Sequence, residues 1–290
     1  MSFNGVGVAL VTPFNADKRI DFEALKNLVD FTIEGGVDFL VALGTTAETP
    51  TLSTEEKLAV LNCIIEHNNK RKPVVLGLGS NSTLDVLDGL KLYPMEQVDG
   101  ILSVVPYYNK PSQEGLFQHF SAIATATDKP IILYNVPGRT VTNMLPETTI
   151  RLAKAHKNIV AIKEASGNMA QCMELVQQAP EGFAVLSGDD NLIVPQVAIG
   201  FKGVISVAAN SFPRYFCKMV HDCLSGNFDA GRQLHYKLLK GIDLLFAEGN
   251  PCGVKYVLYK NGIIRNELRL PLIPASDKLA AEFDAYLAQL

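Results

Sequence analysis

Eight short, apolar, β-branched runs alternate with longer amphipathic stretches along this chain, and that alternation limits the fold more than any other feature. The runs occupy residues 6–11, 39–43, 74–78, 101–105, 131–134, 159–162, 184–186 and 204–207. They recur every 20 to 35 residues or so, roughly the length of one strand-plus-helix unit. Near-continuous apolar strands suit a parallel sheet covered on both faces. The stretches between them carry helix signals. Phe22, Leu25, Leu28, Val29, Thr32 and Ile33 fall at helical spacing, and Gly35-Gly36 stops them. Ser53-Thr54-Glu55-Glu56 reads as a capping box that opens the next helix.

Eight such units in the first ~200 residues fit a closed (β/α)8 TIM barrel. An open, doubly wound sheet is the alternative, but it would carry a Gly-rich dinucleotide loop after its first strand. Here that strand runs into Thr12-Pro13-Phe14. From about Asn227 no further strand is evident, and helical patterns remain at 229–246, 251–259 and 277–287, with Asn250-Pro251 read as a cap followed by proline at the first helical position. The expected organisation is a barrel catalytic domain over 1–226 and a C-terminal helical appendage over 227–290, packed on the barrel without a linker.

Composition narrows the partners. Apolar residues make up 48% of the 290 and charged residues 19%, enough apolar content for one large core. A net charge of -4 provides no basic footprint for nucleic acid. No run approaches the ~18 apolar residues of a membrane span. The start, Met1-Ser2-Phe3-Asn4-Gly5, lacks the pattern of a secretion signal, and the five cysteines form no CxxC pair. Free buried thiols and a cytoplasmic location are expected.

Barrel enzymes place their chemistry at the C-terminal ends of the strands. Those ends carry Gly44-Thr45-Thr46-Ala47-Glu48, Pro106-Tyr107-Tyr108-Asn109, Tyr134-Asn135-Val136-Pro137-Gly138-Arg139, Lys163-Glu164 and Ser187-Gly188-Asp189-Asp190. Strand alternation puts Ile159, Ala161 and Lys163 on one face. If that face points inward, desolvation disfavours an ammonium at the barrel mouth, and a neutral amine there can attack a ketone. The competing reading is a strand-end lysine that reaches solvent or pairs with Glu164. Tyr134, on the neighbouring strand, is either a proton shuttle or a rim aromatic. Thr45 and Thr46 offer hydroxyls and amides to a carboxylate, or simply form a capping loop. Arg139 grips a second carboxylate or is solvated. Tyr107-Tyr108 is by itself an interface or packing pair. Asp189-Asp190 oppose a phosphorylated substrate. The histidines (His67, His119, His156, His221 and His235) show no metal-ligand spacing, and no P-loop or GxSxG elbow occurs. No metal or other cofactor is expected.

These motifs, taken together and in order, resemble the dihydrodipicolinate synthase family of the N-acetylneuraminate lyase superfamily. Gly44-Thr45-Thr46-Ala47-Glu48 is similar to its GTTGE turn, and Tyr134-Asn135-Val136-Pro137-Gly138-Arg139-Thr140 to its YNVPxRT strand end. The Pro106-Tyr107-Tyr108, Ile162-Lys163-Glu164 and Ser187-Gly188-Asp189-Asp190 segments also match. The resemblance implies condensation of pyruvate with L-aspartate-4-semialdehyde through an imine on Lys163, giving 4-hydroxy-tetrahydrodipicolinate on the route to diaminopimelate and lysine. It implies a proton relay of Tyr134, Thr45 and Tyr108. Thr45 and Thr46 would hold the pyruvate carboxylate and Arg139 the semialdehyde carboxylate, and the backbones of Gly188 and Ile205 would line the pocket. Tyr108 would enter a neighbouring subunit's site, so the chain would form a dimer or, as is usual, a homotetramer.

Two departures stand out. Ala47 replaces a glycine, which is costly if the position needs a positive φ; the turn is expected to accept alanine. In the family's lysine-inhibition site, Lys57 and Asp85 stand where a histidine and a glutamate act, beside Thr49, Asn81 and Tyr107. A second ammonium there opposes a lysine ligand, so weak or absent lysine inhibition is expected. The alternatives are a sister enzyme, N-acetylneuraminate lyase or a 2-keto-3-deoxy sugar acid aldolase, and a barrel that has lost catalysis and serves in binding or assembly. Arg139 and the tyrosine pair favour the synthase over the first. The presence of all of Lys163, Tyr134, Thr45 and Tyr108 disfavours the second.

Overall fold

The computed structural model describes residues 3–290, so Met1 and Ser2 of the amino-terminal stretch lie outside it. Strands β1 (Gly5–Ala9), β2 (Phe39–Ala42), β3 (Val74–Gly77), β4 (Gly100–Val104), β5 (Ile131–Asn135), β6 (Ile159–Glu164), β7 (Ala184–Ser187) and β8 (Gly203–Ser206) close into one barrel in chain order. Every neighbouring pair is parallel, and β8 pairs back onto β1. The closed barrel excludes the open-sheet alternative, and each expected run coincides with a strand to within two residues.

Helices α1 (Phe22–Glu34), α2 (Thr54–Asn68), α3 (Thr83–Leu92), α4 (Gln113–Thr125), α5 (Pro146–Ala155), α6 (Met169–Gln178), α7 (Ile193–Ala198) and α8 (Pro213–Leu224) form the outer layer. Their starts are set by local chemistry. Asp21 accepts from the Ala24 amide, and Ser53 and Glu56 make the reciprocal bonds of a capping box, a device worth about 1 kcal/mol. Gly35 and Gly36 end α1, with Gly36 at φ 99°.

The barrel is filled by side chains from alternating strand positions. Ala9, Phe39, Val41, Val75, Leu102, Ile132, Ala161, Ala184, Leu186 and Ile205 form its interior, closed at the bottom by Phe3. The same alternation points Ile131, Leu133, Ile162 and Val185 outward against the helices. One expectation fails here. Ile159 does not share a face with Ala161 and Lys163; it packs in the outer layer. The register between β5 and β6 shifts, so that Ile131 pairs with Ile159 but Ile132 with Ala161. The extra residue, Val160, resets the alternation, which is how a β-bulge re-aims a side chain.

Helices α9 (Phe228–Phe246), α10 (Cys252–Lys260) and α11 (Asp277–Leu287) complete the chain. Leu238, Ile242, Leu245, Val257 and Phe283 join the apolar cluster that contains Leu40 and Val204. Burying each such side chain contributes roughly 1.5–3 kcal/mol. The expected cap at Asn250 is corrected: Pro251 is itself the N-cap residue of α10, the Asn250–Pro251 peptide is cis, and the Asn250 side chain is directed elsewhere. Among the described residues, no helix is long and apolar enough to cross a membrane.

Candidate active site

Lys163 lies within β6 and pairs in register with Tyr134 on β5 and Leu186 on β7. After the bulge its side chain points into the barrel mouth, where it is only 5% exposed. Its Nζ sits 4.4 Å from the centre of the Tyr134 ring. Among the described residues it forms no ion pair within 4.0 Å. The reading of a strand-end lysine paired with Glu164 therefore fails, because adjacent strand residues face opposite sides. Gly188, after β7, leaves room for the lysine: a Cβ there would stand 2.9 Å from Lys163 Cε and 2.5 Å from Ala165 Cβ. An amine that is buried, unpaired and beside a phenol is placed for nucleophilic attack on a carbonyl.

Glu164 points outward into a closed amide network. Its carboxylate accepts from the Ser166 amide at 2.8 Å, from Gln171 Nε2 at 3.1 Å and from Asn135 Nδ2 at 3.1 and 3.2 Å. Asn143 ties Asn135 to Gln171. Burial pushes the Glu164 carboxyl above the usual range, and the hydrogen bonds oppose that shift. The network fastens the ends of β5 and β6 together directly behind Tyr134 and Lys163.

The turn after β2 is built differently. Thr45, Thr46 and Ala47 form one 3-10 turn, with Thr45 exposed and Thr46 buried. Positive φ falls on Leu43 (57°) and Glu48 (55°), not on Ala47, so alanine meets no backbone conflict. The Ala47 carbonyl accepts from Thr12 Oγ1 at 2.8 Å, and the Thr49 hydroxyl bonds the Leu43 and Gly44 carbonyls. Gly77 at the end of β3 permits the close approach, since a Cβ would lie 2.4 Å from the Leu43 oxygen.

Remote residues then clamp the turn. Glu48 and Lys255, both fully buried, pair at 2.5 Å. Burial pulls the Lys255 ammonium down to about 8, against the attraction of Glu48. The Arg269 amide donates to Glu48 Oε2 at 3.0 Å, and the Lys255 ammonium also donates to the Glu267 carbonyl at 2.8 Å. Asn250 Nδ2 donates to Thr46 Oγ1 at 3.0 Å.

The other predicted residues divide between those at the mouth and those beyond it. Ile205 is buried inside the barrel. Asp190, one of the two carboxylates expected to oppose a phosphorylated substrate, is 1% exposed; its Oδ2 accepts from the Val207 and Ala208 amides at 3.0 and 2.7 Å. Burial raises its carboxyl to about 6, and those amide bonds limit the rise. Asp189 accepts from the Gly167 amide. Both carboxylates thus brace loops. Arg139 is exposed in the short helix Pro137–Thr140. Tyr108 is 88% exposed at φ 73° and is not enclosed with Lys163 in one chain. Of the regulatory set, Asp85 is bonded by Ser80 Oγ and the Asn81 carbonyl by Asn109, while Tyr107 is 41% exposed and Lys57 half-buried.

Sequence reasoning missed Asn250, the Glu48–Lys255 pair and the amides behind β6. Asn250 was visible only as a cap. Nothing local marks Lys255 as the partner of a residue more than two hundred positions away.

A parallel (β/α)8 barrel with a buried, unpaired lysine at its mouth defines the class: an enzyme able to attack a carbonyl with an amine. The chain belongs to the dihydrodipicolinate synthetase family, whose pattern it matches over residues 2–290. It is 51% identical over 286 residues to the 4-hydroxy-tetrahydrodipicolinate synthase of Phocaeicola vulgatus, covering 99% of this chain and 96% of the relative. The synthase of Flavobacterium psychrophilum is 48% identical over 289 residues, covering 100% and 99%. The crystal structure of dihydrodipicolinate synthase from Thermotoga maritima superposes with a TM-score of 0.97 at 41% identity, covering 100% of this chain and 99% of that one. These relatives do not favour the sister-aldolase alternative.

Proposed function

We propose that this protein condenses pyruvate with L-aspartate-4-semialdehyde to 4-hydroxy-tetrahydrodipicolinate, through an imine on Lys163. The Lys163 amine attacks the pyruvate ketone, and loss of water gives the imine. Loss of a methyl proton gives an enamine, whose carbon bonds to the aldehyde carbon of the semialdehyde. The substrate's own amine then attacks the imine carbon, closes the ring and releases Lys163. What supports this reading above all is a lysine 5% exposed at the barrel mouth and in ring contact with Tyr134.

In this reading Tyr134, Thr45 and Tyr108 relay the protons of imine formation and collapse. Thr45 and Thr46 receive the pyruvate carboxylate, Arg139 receives the semialdehyde carboxylate, and the backbones of Gly188 and Ile205 line the pocket. Tyr108 completes the relay of a second copy, which fits its outward placement and calls for at least a dimer, with a tetramer as the usual assembly. Lysine inhibits weakly or not at all, because Lys57 takes the place of the family's histidine in the set with Thr49, Asn81, Asp85 and Tyr107, and a second ammonium there would oppose the ligand's own; strong inhibition at micromolar lysine would rule this out. Five free thiols, four of them buried, suit a reducing cytoplasm.

The test is pyruvate consumption by the pure protein with and without the semialdehyde, beside Lys163→Ala. Consumption that needs both the semialdehyde and Lys163 is expected. No consumption with the semialdehyde present would refute the reaction.

A further inference from the structure

We infer that Asn250 is a positioning residue that commits the hydroxyl proton of Thr46 to the pyruvate carboxylate. The inference rests on the reading of Thr46 as a carboxylate donor. Asn250 comes from the connection between α9 and α10, is 7% exposed, and meets the turn after β2 at one atom, Thr46 Oγ1. A hydroxyl has one proton and two lone pairs. Once Oγ1 accepts from Asn250 Nδ2, its proton must go to another acceptor. Among the described residues Thr46 Oγ1 donates to none, so the proton is left for a ligand.

Asn250 is not what holds the turn in place. The backbone there is secured by Thr12 on Ala47, by the Thr49 hydroxyl on Leu43 and Gly44, and by the Lys255 pair and the Arg269 amide on Glu48. What Asn250 contributes is direction. It turns an ambivalent hydroxyl into a donor, which suits an anion and opposes a ligand that would itself donate. If the amide were reversed, its oxygen would take the Thr46 proton, and only lone pairs would face the carboxylate. An aspartate at this position imposes that reversed state for as long as its carboxyl is ionised.

The experiment measures the pyruvate concentration that half-saturates borohydride trapping on Lys163, together with steady-state KM and kcat. Asn250→Asp is expected to raise half-saturation about 100-fold at pH 8, recovering as pH falls and the new carboxyl takes up a proton that it can donate. Asn250→Ala, which only frees the hydroxyl to rotate, is expected to raise it about 5- to 10-fold, with kcat within about threefold and the semialdehyde KM unmoved. An Asn250→Asp protein that saturates like the wild type overturns the inference, because the amide would then already present its oxygen. Equal loss in kcat with unchanged pyruvate KM overturns it as well. If the aspartate variant does not fold, the cycle of Thr46→Val with Asn250→Ala decides: the asparagine change should add nothing in the valine background, and full additivity overturns the inference. A wild type that traps no pyruvate overturns this inference and the proposed reaction together. Trapping in the wild type with unaffected Asn250 variants overturns this inference alone.

Discussion

Lys163 and Thr46 both lie buried at the mouth of the same barrel, but they are held there by different means. Lys163 is a strand residue. Its direction follows from register with Tyr134 and Leu186, and the network of Glu164, Asn135, Asn143 and Gln171 behind it comes from two strand ends, a loop and the first turn of α6. Thr46 is a turn residue. Its neighbours in the turn are oriented by Thr12 on one side and by Lys255 and Arg269 on the other, and its own hydroxyl by Asn250. The proposed nucleophile, Lys163, sits on the sheet. The group proposed to meet an incoming carboxylate sits on a turn whose geometry depends on the last third of the chain. The C-terminal helices are therefore part of the site's support and not only a cover for the barrel.

Breaking the strand side should have the largest effect. Lys163→Ala should lose activity by about 10⁴-fold or more and lose all borohydride trapping of pyruvate, measured by turnover and by intact mass. A variant retaining a tenth of the activity would mean the imine forms elsewhere.

Breaking the turn side should act first on stability. Lys255→Met leaves Glu48 buried without its partner, and removal of one partner of a buried pair costs about 3–5 kcal/mol. Denaturant unfolding measures this. The pyruvate half-saturation should rise in the same variant, and Glu48→Gln combined with Lys255→Met should recover part of the stability. If Lys255→Met unfolds like the wild type, the C-terminal clamp does not support the turn.

Tyr134→Phe sharpens the comparison. It keeps the ring beside Lys163 and removes only the hydroxyl, so kcat should fall by about 100-fold with little change in stability. A fall below threefold would leave Tyr134 as a packing residue.

The smallest effect is a control from the other end of the barrel. His221 on α8 bonds Asp38 at 2.7 Å, just before β2, and Asp38 also accepts from the Val6 amide. The hydrogen bond to Asp38 raises the His221 imidazolium, while burial opposes it. Burial works against the Asp38 carboxylate, but its bonds to His221 and Val6 hold it below the usual range. The histidine contribution is fully present below about pH 6.5 and lost as pH rises through its raised value; the aspartate contribution is present above about pH 4 and lost in acid. Asp38→Asn should therefore cost most between about pH 4 and 6.5, by less than about 1 kcal/mol for so solvent-screened a pair, and less above that. Its pyruvate half-saturation should equal the wild type's at every pH; a change would mean that the two ends of the barrel are coupled.

Much of this architecture was legible in advance for a physical reason. Strand and helix periods are local, so eight apolar runs and their spacers are enough to specify a barrel, and the rule that chemistry sits at strand ends then points to Lys163, Tyr134 and the Gly44–Glu48 segment. Even there local alternation misled at Ile159, because a bulge at Val160 is decided by how β6 must sit against β5. The competing pairing of Lys163 with Glu164 fails by the same alternation, since sequence adjacency on a strand is spatial opposition.

The sequence by itself determined the periodicity, the caps of α1 and α2 and the motif residues, and through their family resemblance the class of reaction. Tertiary structure alone decided which polar side chains meet: Asn250 with Thr46, Lys255 with Glu48, Asp190 with the amides after β8. Such pairings form between groups brought together only when the barrel closes and the C-terminal helices bury their apolar faces, and no spacing along the chain encodes the distance between them.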